Sequence, residues 1–112
     1  MPANPTLQAI HSMLLKQVSA LSQQLDDTTD AAAAQIITTE MQELVHRVSI
    51  TQNLLFTAAS SDLDSKLGPI QTANISLTAS ITSIGNGAKF IEVTTQFLGF
   101  VDTAIDLAKK IA

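Results

Sequence analysis

No cysteine occurs in this 112-residue chain, which excludes a disulfide frame, a thiolate nucleophile and a zinc–thiolate site while leaving the redox compartment open. Basic residues are also few. Six stand against ten acidic ones, for a net charge of -4, and they are dispersed, with Lys109 and Lys110 as the one adjacent pair. A protein that tracks phosphates needs clustered Lys and Arg, so nucleic acid is excluded as a partner. Charge of either sign is scarce, at 14% of residues against roughly 25% in an ordinary soluble domain. Long apolar runs are missing as well. Met1-Pro2-Ala3-Asn4-Pro5 has no basic region ahead of an apolar core, and Lys16 and Gln17 break the first apolar stretch. Neither a signal peptide nor a transmembrane helix is expected, which makes the cytoplasm the default location.

What is present is a chain that is 46% hydrophobic, with Ser, Thr, Gln, Asn and Ala filling the places that charged residues usually take. This length suits one domain over residues 1–112 with a single core. Asn4-Pro5 is a cap and first-turn pair, and Leu7, Leu14, Val18, Leu21 and Leu25 recur at heptad-like steps, which predicts a helix over about 5–25. Asp26 to Asp30 supplies turn and cap chemistry. From there Ile37, Met41, Leu44, Val48, Thr51, Leu55 and Ala58 keep one seam through a second helix over about 31–59. A third segment over 61–84 carries Leu63, Leu67, Ile70, Asn74, Leu77, Ile81 and Ile84, with a kink expected at Gly68-Pro69. Gly85-Asn86-Gly87 is a stop, and a fourth helix follows over 88–111 with Lys109 and Lys110 at its C-terminal end. The expected architecture is an all-α, antiparallel up-down bundle of three to four helices, with coiled-coil-like heptads and no sheet.

No residue pattern supports catalysis, a cofactor or a metal. Glu43-x-x-His46 matches the carboxylate–imidazole pair of di-iron bundles, but such a centre needs a second pair and two further glutamates. Only Glu40, Glu43 and Glu92 are glutamates, and His11 is the one other histidine. His46 also falls about 200° around the helix from Leu44 and is expected to face solvent. Neither histidine lies near a motif that would strain a serine into a nucleophile. Asp62 with Lys66, and Asp106 with Lys110, are expected as i, i+4 surface pairs. His11 stands at a seam position between Leu7 and Leu14, where a polar residue can fix register and a histidine can make it pH-sensitive. The plainer expectation for His11 is a partly buried ring bonded to a neighbour. Thr51 and Asn74 interrupt their seams in the same manner.

The most informative stretch lies between Lys66 and Lys89, where no ionisable side chain occurs. Small hydroxyl-bearing residues there would let another helix approach closely. In the fourth helix the apolar arc is wider than one neighbour requires. Together these features predict a non-catalytic interaction or structural module that forms a homo-oligomer or docks on a helical partner. The candidate interface is Ile70, Leu77, Ile81, Ile84, Phe90, Phe97, Phe100 and Val101. The alternative function is a membrane-active or pore-forming protein in its water-soluble state, although a surface-lying helix usually carries a Lys-rich face that is missing here.

Overall fold

The computed structural model describes residues 2–85 and 87–111, and all the regular structure in them is helical. Four long helices, α1 (Pro5–Asp27), α2 (Ala31–Leu54), α4 (Leu67–Ile81) and α5 (Ala88–Ile111), are joined with one short turn of helix, α3 (Ser61–Asp64). The particle measures 45 × 21 × 17 Å. Its all-α, single-bundle character is what the heptad spacing predicts.

Local chemistry sets most helix ends. Asn4 caps α1, its side-chain oxygen accepting from the Thr6 and Leu7 backbone N–H groups at 3.0 and 3.1 Å. Asp30 caps α2 by accepting from the Ala32 N–H at 3.2 Å, where its charge also suits the helix dipole. Between α4 and α5, Gly85 and Gly87 take φ values of +59° and +88°, which glycine adopts without steric cost. A Cβ on Gly87 would also stand 2.8 Å from Ile36 Cδ1 of α2.

The third segment ends at Ile81 rather than 84, and two other boundaries differ more from the sequence expectation. The second helix stops at Leu54 rather than near residue 59, because the chain beyond it is bonded elsewhere. The Leu55 carbonyl accepts from the Asn4 backbone N–H at 2.6 Å, and the Thr57 and Ala58 carbonyls accept from Asn4 Nδ2 at 3.1 and 3.2 Å. Capture by Asn4 thus outweighs helix propagation. The third segment does not kink at Gly68-Pro69 but breaks before it, into α3 and α4. Pro69 has no N–H to give the Ser65 carbonyl, so the helix restarts with proline in its first turn, where no such bond is due.

Each long helix packs on two others: α1 on α2 and α4, and α5 on α4 and α2. The register follows from individual contacts. His11 meets Thr51 and Asn4 meets Leu55, so α1 and α2 are antiparallel. Thr6 bonds Asp64 and Gln17 bonds Asn74 and Thr78, so α1 and α4 run side by side in one direction. Arg47 meets Asp102, and Ile36 and Ile91 share a hollow, so α2 and α5 are parallel too. The chain alternates direction as predicted, yet the link from α2 to α4 crosses the diagonal of the bundle, carrying α3 with it.

Leu7, Ile10, Leu14 and Leu21 of α1, Ile37 and Leu44 of α2, Ile70 and Leu77 of α4, and Phe90, Phe97 and Val101 of α5 fill the centre. Among the described residues, no buried polar side-chain atom lacks a hydrogen-bond partner. No helix there is long and apolar enough to cross a membrane.

Candidate functional site

Six of the eight residues expected at an interface belong to the centre of the bundle. Ile70, Leu77, Ile81, Phe90, Phe97 and Val101 are buried within the single chain, and Ile84 is half-buried against them. Only Phe100 reaches the surface, at 37% exposure. The wide apolar arc of α5 has an internal cause, since α5 packs against α4, α2 and α3 at once. Aspartate at Phe97 or Ile81 would consequently unfold the bundle, and such variants cannot report on assembly.

The surface that remains is the outer face of α4. It carries no charge from Leu67 to Ile81, and Ile75 on it is 71% exposed, more than any other large apolar residue described. Several hydroxyls on it and just beyond its end are turned back on the helix. Thr78, Ser80 and Thr82 donate to the carbonyls of Asn74, Leu77 and Ala79 at 3.0, 2.8 and 2.7 Å. A hydroxyl bonded to its own backbone presents carbon outward, so this face is less hydrophilic than its composition. Along its α5 flank, Phe100 and Gln96 close a shallow hollow against Pro69, Thr72 and Ser76.

The groove between α2 and α5 has the opposite character. Arg47 donates to both Asp102 oxygens, from Nε and Nη2 at 3.0 Å each, and to Glu43 one turn back on its own helix. The guanidinium is 15% exposed and its carboxylate partners about half exposed. A planar fork held at both oxygens is the stronger form of ion pair, and hydrogen bonding to Asp102 is the main reason that Arg47 holds its proton more tightly than usual. Glu40 lies in the same groove without an ion pair. Burial first, and the neighbouring Glu43 second, push its pKa above the ordinary value, with Arg47 opposing. An acid whose pKa is raised on folding destabilises the fold once pH rises above its ordinary range, and costs nothing below it. Glu40→Gln is therefore expected to raise the melting temperature at neutral pH, the gain vanishing in a pH series that descends through the carboxylate range.

The polar residues that interrupt the helix seams have internal partners. His11 Nδ1 lies 2.9 Å from Thr51 Oγ1, as the plainer reading of that histidine expects. The Thr51 hydroxyl also has the Arg47 and Val48 carbonyls within reach as acceptors, at 2.9 and 3.1 Å. Buried Gln17 spans α1 and α4, donating from Nε2 to Asn74 Oδ1 at 2.7 Å and Thr78 Oγ1 at 2.9 Å. Asn74 thereby finds its partner across the seam between the parallel helices α1 and α4.

His46 is exposed, as its helical position predicts. Glu43 turns to Arg47, and among the described residues no three His, Asp or Glu side chains gather as a metal site would require. The surface pairs Asp62–Lys66 and Asp106–Lys110 do not form ion pairs. Instead the four side chains surround a shallow hollow between α3 and the end of α5. Arg47 itself had no sequence signal of its role, since its partner lies 55 residues away on a helix whose register is set only by packing. No protein-family model, curated protein or solved structure matches the chain.

Proposed function

We propose that this protein is a non-catalytic helical module that self-associates through the outer face of α4, with Ile75 on that face and Phe100 along its α5 edge as apolar anchors. The observation that carries this reading is the absence of any charge on that face in a chain of net charge -4. An uncharged face lets two copies of an acidic chain meet without opposing like charges, and here they bring together Ile75, small hydroxyl residues and Phe100. Small side chains let backbones approach closely, and exposed apolar residues at the centre of a patch supply most of the binding energy.

Size-exclusion chromatography with light scattering tests this directly against the monomer mass of 11.9 kDa. A dimer or larger assembly is expected for the parent chain. Ile75→Asp should return it to the monomer mass with an unchanged circular dichroism spectrum, because so exposed a side chain contributes at most about 0.5 kcal/mol to the fold. A parent chain that is monomeric throughout the micromolar range, or an Ile75→Asp variant that assembles normally, would refute the reading.

A further inference from the structure

The groove between α2 and α5 combines an apolar end with an acidic one. At the N-terminal end of both helices, Ala32, Ile36 and Ile91 form a hollow, and Ile91 is 39% exposed. Thr39 and Glu40 line both this hollow and the next, which continues to Glu43, Arg47 and Asp102. Three carboxylates thus share the groove with one guanidinium, which is already engaged by Glu43 and Asp102. Glu40 is left without a cation at bonding distance.

Gly99 sits in the interior of α5 and lines the same groove. Glycine at such a position weakens a helix relative to alanine. The chain's own packing does not ask for it, since a Cβ there would meet nothing within 4 Å. Its effect is to leave the α5 backbone bare along the groove wall, where another backbone can come close.

We infer that this groove is the docking site for a basic amphipathic helix of a partner protein, which places an apolar side chain between Ile36 and Ile91 and a Lys or Arg one turn further on against Glu40. Charge complementarity selects the occupant. A second copy of this chain would bring net negative charge to a negative groove, while a cationic helix finds the unmatched carboxylate beside an apolar seat. The partner's turn of about 5.4 Å matches the step from Ile36 to Glu40 on α2. This site is separate from the α4 face and stands whether or not the protein self-associates.

The test uses a synthetic helical peptide with leucine and lysine four residues apart on one face, and a twin with glutamate for lysine. Fluorescence anisotropy on the full chain should show binding of the lysine peptide that weakens as salt is raised, and no binding of the twin. Gly99→Leu and Glu40→Gln should each weaken binding by about tenfold or more, the loss of one well-placed contact, whereas Asp27→Asn, outside the groove, should leave it unchanged. Gly99→Leu places its side chain in open space, so its melting temperature should match or exceed that of the parent. Absence of binding by the lysine peptide, equal loss in the Asp27 control, or binding untouched by Gly99→Leu would overturn the assignment. So would a fall in solution mass on Gly99→Leu, which would place a second copy in the groove.

Discussion

Asn4→Ala is expected to destabilise the bundle by about 2–4 kcal/mol, far more than a lost helix cap alone, which typically costs about 1 kcal/mol. The excess arises because one side chain serves two helices. Its oxygen accepts from the first turn of α1, and its nitrogen donates to Thr57 and Ala58 beyond the end of α2. Each intramolecular hydrogen bond is worth about 0.5–1.5 kcal/mol net, and Asn4 is buried, so water recovers little of the loss. Asn4→Ser separates the two roles. Serine caps a helix well but cannot reach as a donor, so it should retain the cap contribution and lose the clamp. Chemical denaturation of the three proteins checks both steps, and hydrogen exchange should show the residues after Leu54 opening first in both variants.

Phe97→Ala should cost about 3–5 kcal/mol, the usual range for a buried phenylalanine replaced by alanine, because the ring is fully buried at the middle of α5. For a domain whose total stability is of order 5–15 kcal/mol, this is a large fraction, and the melting temperature should fall by about 10–20 °C. Phe100→Ala is the informative contrast. One turn away but 37% exposed, Phe100 should cost less than about 1 kcal/mol in the fold while weakening assembly. Thermal melts and solution mass, measured together on both variants, assign each ring to its task. Equal destabilisation by the two would mean that Phe100 belongs to the core instead.

That contrast also marks how far the sequence could be read. The apolar spacing located α5 to its observed ends at 88 and 111, and Asn4-Pro5 marked the start of α1, because caps, turns and periodicity act over a few residues. Periodicity says that Phe97 and Leu77 face a neighbouring helix, but not whether that helix comes from the same chain or another. Two antiparallel hairpins that bury their seams against each other satisfy the pattern internally, which is why six expected interface residues proved to be core. The end of α2 was illegible for a related reason. Near Leu54 only Thr57 turns back on the helix end, and the clamp on the chain beyond it comes from Asn4, fifty residues earlier. Arg47 and Asp102 were equally hidden, since the parallel pairing of α2 with α5 depends on the link taking the diagonal.

The alternating directions place the start of α1 and the end of α5 at one end of the bundle, both beside α3, and the diagonal link sets them on opposite corners. A tension applied across those two helices would act transverse to their axes. It would open the α3 end first and peel contacts away turn by turn, rather than shear whole interfaces at once. Mechanically this is an unzipping geometry, with Asn4 and the Thr6–Asp64 bond as its first latches, and the molecule should yield to a low force however stable it is in denaturant.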